Sequence, residues 1–195
     1  MFTGIIETVG KLVETKVEET NIRLTISSDV SKLLKIDQSV AHNGVCLTVV
    51  KINDNTHEVV LVKESIDKTN FGITKKGDSI NLERCMMMNG RLDGHMVQGH
   101  IDTTAKCIIK ENLKGSWKFV FEYDKKFAQL VIEKGSISIN GVSLTCFNID
   151  KNTFEVAIIP YTYDHTNFSS IEIDHLVNIE FDIIGKYISR IHQLS

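Results

Sequence analysis

The chain has 195 residues, 42% of them hydrophobic and 24% charged, with a net charge of −3 at neutral pH. This globular balance argues against disorder, and without a lysine or arginine cluster there is no electrostatic reason to expect a nucleic-acid partner. No apolar run nears the ~20 residues that span a bilayer, and the opening MFTGIIETVGKL lacks the regions of a signal peptide. The expectation is a cytoplasmic protein with no membrane partner. Cys46, Cys85, Cys107 and Cys146 are scattered without a C-x-x-C pair, as in a protein that keeps its thiols reduced.

In chain order, NIRLTIS (21–27) reads as a first strand, and SSDVSKLLK as a short capped helix with Val30, Leu33 and Leu34 on one face. VCLTVV (45–50) and HEVVLVK (57–63) follow as strands. GHMVQGHIDTTAKCII (94–109) and WKFVFEY (117–123) read as two more. DKKFAQLVIEKG repeats the helix pattern with Phe127, Leu130 and Val131, and SISIN, VSLTCFNI and FEVAII complete the strands. Asn43-Gly44 and Asn140-Gly141 lie between strands as hairpin turns, since both residue types tolerate positive φ. In the tail DIIGKYISRIHQLS, Ile184, Tyr187, Ile188 and Ile191 recur at helical spacing. That apolar stripe either packs on its own barrel or drives self-association.

The chain is duplicated. A shift of 97 residues aligns Asn43–Glu83 with Asn140–Glu180 without a gap, including NGV, LT, NT.EV and D.TNF in both copies. A shift of 95 lays GIIETVGK (Gly4–Lys11) over GHIDTTAK (Gly99–Lys106). Two copies of a mostly β unit with tight turns imply two small antiparallel Greek-key barrels plus a C-terminal helix.

Duplication also supplies a control. Positions identical in both copies serve the fold by default, while positions that differ in chemical type mark where function diverged. Differing pairs include Phe2/Val97, Ile5/His100, Cys46/Ser143, Lys63/Pro160, Glu64/Tyr161 and Asp37/Lys134. His95 and His100, five apart on an expected strand, would face opposite sides and could not chelate one ion, so no metal is expected. His100 would share a face with Gln98 and Asp102 and suits proton transfer. Cys46 and Thr48 should face outward, opposite Val45, Leu47 and Val49. The residues alone do not yield the reaction.

Taken together, MFTGIIE, SVAHNGVCLTV, GHMVQGHIDTTA, KGSISINGVSLT and VNIEFDIIGKY resemble the riboflavin synthases, over the whole chain and with every motif in order. The resemblance implies two six-stranded barrels, residues 1–86 and 87–184, and an oligomerisation helix over 185–195. It implies dismutation of two molecules of 6,7-dimethyl-8-ribityllumazine to riboflavin and 5-amino-6-(ribitylamino)uracil, by a homotrimer that needs no cofactor. Each barrel would bind one lumazine where the first barrel of one subunit faces the second barrel of its neighbour. Positions matching the family's turnover residues are Phe2, Ser39, Cys46, His100 and Asp182, with Phe2 expected to pack against a ring.

Pocket positions carry onto Gly4, Ile5, Ile6, Cys46, Leu47, Thr48, Val60, Leu61, Val62, Lys63, Glu64 and Ser65 in the first barrel. In the second they fall on Gly99, His100, Ile101, Lys134, Ser143, Leu144, Thr145, Ile159, Pro160, Tyr161, Thr162, Tyr163 and Asp164. Val60 stands where some relatives carry a polar residue. A non-catalytic relative that uses the fold as a fluorescence antenna is the nearest alternative, and a nucleic-acid-binding barrel a more distant one.

Overall fold

The computed structural model describes residues 1–194 and builds each repeat from six antiparallel strands. The first repeat contributes β1 (Thr8–Glu18), β2 (Asn21–Ser27), β3 (Ser39–His42), β4 (Val45–Asn53), β5 (Thr56–Leu61) and β6 (Ser79–Arg84). The second contributes β7 (Thr103–Asn112), β8 (Trp117–Glu122), β9 (Ser136–Ile139), β10 (Val142–Thr145), β11 (Thr153–Ile158) and β12 (Leu176–Phe181). The first set closes into a barrel in the order β1-β2-β5-β4-β3-β6. The second has the same neighbours but opens between β10 and β11, where only the Phe147–Glu155 bridge joins the edges. The opening follows from the short β10, which stops at Thr145 before Asn148 turns the chain at φ 48°.

Both Asn-Gly hairpins form as expected, with Asn43 and Gly44 at φ 46° and 80° and Asn140 and Gly141 at 46° and 83°. Alternation along the strands fills two cores. The first is aliphatic apart from Phe71, whereas Phe119, Phe121, Phe154, Phe168 and Phe181 fill the second. The two segments expected as capped helices are instead 3₁₀ turns, Ser31–Leu33 and Lys125–Leu130. The tighter winding buries Val30 and Leu34 but turns Leu33 out to 57% exposure, so Leu33 does not share their face. Two short helices absent from the sequence reading, α1 (Lys63–Lys68) and α2 (Pro160–His165), follow β5 and β11.

The tail forms α3 (Ile183–Leu194), beginning inside the stretch that sequence assigns to the second barrel. Its stripe stays largely open to solvent: Ile184, Tyr187, Ile188 and Ile191 are 55–67% exposed. A 2.5 Å ion pair from Lys186 to Asp102 holds its first turn to the second barrel. Among the described residues no helix is long and apolar enough to cross a membrane.

Asparagines join the barrels across a pseudo-twofold axis. Asn178 Nδ2 donates to Asn43 O and Asn81 Nδ2 to Asn140 O, each at 2.9 Å. Asn178 Oδ1 accepts from Asn70 N, and Asn81 Oδ1 from Asn167 N, each at 2.7 Å. Every member is at least nine-tenths buried. These amides exchange bonds with the backbone of the opposite repeat and so fix one relative placement of the two units.

Candidate active site

The loop preceding each barrel packs on the other barrel. Ser143 N, on β10, donates to Gly4 O at 2.8 Å, and Cys46 N, on β4, donates to Gly99 O at 2.9 Å. Ile6 packs against the second core and Ile101 against the first. The two loops meet at a bridge between Phe2 and Val97. Both glycines are required. They sit at φ +77° and +85°, and a Cβ on Gly4 would lie 2.6 Å from Ser143 Cβ, one on Gly99 2.5 Å from Cys46 Cβ. Gly4, Ile5 and Ile6 therefore lie on the second barrel and Gly99, His100 and Ile101 on the first, each loop crossed over from its own repeat.

The segment around His100 is not a strand, because its amides bond to a carboxylate. Glu180 accepts from Gln98 N at 2.6 Å, Gly99 N at 2.8 Å and His100 N at 2.9 Å. The ladder begins only at Thr103. His95 is buried and His100 exposed, so the two do diverge, but through a bent loop and not through strand alternation.

In the first barrel, Cys46, Gly99, His100 and Ile101 line a cavity of about 240 Å³ with Glu64 and Ser65 of α1. Val45, Lys68 and Thr69 also line it. As expected, Val45, Leu47 and Val49 turn into the core, while Cys46 is half-buried and Thr48 exposed. Burial pushes the Cys46 thiol up, partly opposed by a hydrogen bond with Ser39, so at neutral pH it presents S–H. Phe2 is wholly buried with Ala41, Val97 and Cys46, so it supports the thiol from behind and offers no ring face to a ligand.

Around Ser143, in the second barrel, His95 Nδ1 lies 2.7 Å from the hydroxyl. Burial lowers the imidazole's pKa and the nearby Asp182 carboxylate opposes that shift. Asp182 Oδ1 accepts from Ile184 N at 2.9 Å and so caps α3. Tyr163 stacks on Trp117 at 3.8 Å between centroids, and Tyr161 on His165 at 4.0 Å.

Residues 3–85 and 98–182 each match the lumazine binding domain. Over 191 residues the chain is 39% identical to the riboflavin synthase of Actinobacillus pleuropneumoniae and 38% identical to that of Bacillus subtilis. Each alignment covers 97% of this chain and 89% of the relative. The chain belongs to the riboflavin synthase family. Its fold matches LumP complexed with riboflavin at a TM-score of 0.88, and LumP complexed with 6,7-dimethyl-8-(1'-D-ribityl) lumazine at 0.85. Both are 22% identical, with 93% of this chain and 99% of the other covered.

Among the other family positions, Leu47 and Leu61 point into the first core, so only their backbone could meet a ligand. Val60, Val62 and Lys63 lie at the end of β5 and the start of α1; Ile159, Pro160, Thr162 and Asp164 hold the same places around α2. Leu144 packs on the second core and Thr145 is exposed beside it. Lys134, at φ 63°, lays its ammonium 5.2 Å over the Phe147 ring. A larger cavity of about 350 Å³ lies at the barrel junction, but its floor is Asn43, Asn70, Asn140 and Asn167 and it includes none of the family positions. The larger cavity also has His175, Lys75, Asp78 and Asp174, but the smaller is the better candidate because it alone of the two brings a thiol, Cys46, together with His100 and family positions.

Lys68, Thr69, Glu83 and Glu180 were missed by sequence reasoning, and His95 was weighed only as a metal ligand. His95 has no repeat counterpart, and Thr69, Glu83 and Glu180 are identical in both copies and so read as fold residues.

Proposed function

We propose that this protein catalyses the dismutation of two 6,7-dimethyl-8-ribityllumazine molecules to riboflavin and 5-amino-6-(ribitylamino)uracil, the closing step of riboflavin formation. The observation that carries the reading is the pair of related but unequal loop–strand contacts: Cys46 with the His100 loop in one, Ser143 with the Ile5 loop in the other. A reaction in which two identical molecules take different parts needs such inequality. One lumazine loses a proton from its C7 methyl group and its carbanion attacks the other ring.

His100 moves that proton. Cys46, as a neutral thiol hydrogen-bonded to Ser39, assists addition at the acceptor C7. Asp182 and Ser143 hydrogen-bond in the second pocket. Holding two rings together removes much of the entropic barrier of a bimolecular step. No organic or metal cofactor takes part.

The working form is a cytoplasmic homotrimer, divided in each chain at 86/87 and assembled through the α3 stripe. The four free cysteines suit a reducing compartment. Replacing His100 by Gln or Cys46 by Ser should lower turnover about a hundredfold or more while lumazine still binds. Wild-type rates in both variants would overturn these roles.

A further inference from the structure

The two loops that carry the pockets are held by the same device with one difference. Glu83 accepts from Thr3 N at 2.6 Å, Thr3 Oγ1 at 2.7 Å and Gly4 N at 3.0 Å. Glu180, its repeat counterpart, accepts from Gln98 N, Gly99 N and His100 N. Where the first loop fills the third bond with a threonine hydroxyl, the second gives it to the amide of His100. Ile5, the counterpart of His100, donates its amide to Thr3 Oγ1 instead.

Both carboxylates are buried, Glu83 at 4% and Glu180 at 1% exposure, and neither is in an ion pair among the described residues. Burial pushes both carboxyl groups up in pKa against their amide partners. A buried carboxylate satisfied only by neutral donors is a costly way to hold a loop, and it holds it in one conformation. The far end of the His100 loop is fixed as well: Asp102 Oδ2 accepts from Phe181 N at 2.9 Å and pairs with Lys186.

We propose that Glu180, from the second barrel, is the positioning residue of the first barrel's pocket, setting His100 against Cys46 through the backbone amides of the 98–100 loop. Glu83 performs the same service for the Gly4 loop over Ser143. The inference rests on the reading of the first pocket as a lumazine site. In Glu180→Gln the carboxamide cannot accept all three bonds; whichever way it turns, an NH₂ group meets an amide N–H. The loop then loses its fixed geometry at near-constant side-chain volume.

The test uses the full chain and 6,7-dimethyl-8-ribityllumazine as the probe. Alkylation of Cys46 by iodoacetamide, read by peptide mass mapping, reports occupancy of the first pocket alone. In the wild type, ligand should protect Cys46. In E180Q, protection should require about tenfold or more ligand, with kcat/KM reduced by at least that factor. E83Q should alter Cys46 protection clearly less than E180Q, because Glu83 holds Thr3 and Gly4 and none of the 98–100 amides. A merely structural role for Glu180 would lower stability and leave Cys46 protection in the folded protein unchanged. If E180Q does not fold, E180D carries the test, since it keeps the charge and withdraws the carboxylate by one methylene. Wild-type protection and turnover in the variant that folds would overturn the inference. Absence of protection in the wild type would overturn the lumazine reading of the pocket, and the inference with it.

Discussion

His57 Nε2 lies 2.8 Å from His42 Nε2 inside the first barrel, both side chains wholly buried. His42 Nδ1 contacts Val40 O at 3.0 Å, and a carbonyl only accepts, so that nitrogen carries the proton. His42 Nε2 must then accept from His57 Nε2–H, and His57 Nδ1 accepts from the Ser31 hydroxyl at 2.8 Å. Every donor is satisfied with both rings neutral. The second barrel has Ala128, Ile139 and Phe154 at the equivalent positions, so only one repeat contains this wire.

Burial lowers His42 to about 3 and His57 to about 4, from an ordinary 6.5. Below pH 6.5 the unfolded chain takes up protons that the folded chain refuses, so stability falls as pH drops from 6.5 toward 4 and levels off below 3. At about 1.4 kcal/mol for each pKa unit, the loss across that window is on the order of 5–10 kcal/mol. Urea unfolding at several pH values measures it. The triple variant S31A/H42I/H57F, which copies the second barrel, should show a clearly shallower acid slope; an unchanged slope would assign acid sensitivity elsewhere.

Asn178 accepts from Asn70 N and donates to Asn43 O across the barrel junction. Asn178→Ala leaves both backbone groups buried without partners, at about 1–3 kcal/mol each. Denaturant unfolding should show a loss on the order of 2–4 kcal/mol, whereas a change under 0.5 kcal/mol, roughly the level of a neutral surface substitution, would mean that water replaces the amide.

Gly99→Ala places a methyl group against Cys46 and adds strain at φ +85°. Gly77, at φ +97°, has open space around it and isolates the strain alone. G77A should cost about 1–2 kcal/mol of stability with activity retained. G99A should lose most turnover; equal activity in the two variants would deny the close contact between loop and thiol a role.

The Asn-Gly hairpins, the outward face of Cys46 and the duplicated barrels were legible in the sequence because they rest on local rules: turn chemistry, two-residue alternation and internal repetition. The crossed loops were not. Nothing local to MFTGII or MVQGHI says which barrel each will lie on, since the contacts that decide it, Gly4 with Ser143 and Gly99 with Cys46, span more than 50 residues. The rule that identical positions serve the fold also concealed Glu180. Its residue type is shared with Glu83, and only its third bond, to His100, differs.

The exposed stripe of α3 predicts assembly. Placing Asp at both Ile184 and Ile188, 55% and 63% exposed in the single chain, should shift sedimentation from trimer to monomer with unchanged far-UV circular dichroism. Turnover should fall with it, because in the proposed homotrimer each site draws its two barrels from neighbouring chains. A monomeric wild type with full activity would contradict that arrangement.

The most direct measurement of the central claim is the stoichiometry of turnover. Purified protein is incubated with 6,7-dimethyl-8-ribityllumazine alone, and lumazine, riboflavin and 5-amino-6-(ribitylamino)uracil are quantified by chromatography. The account predicts one riboflavin and one uracil product for every two lumazines consumed, without added cofactor. Tight lumazine binding with no riboflavin formed would contradict it and leave a binding protein on the same fold.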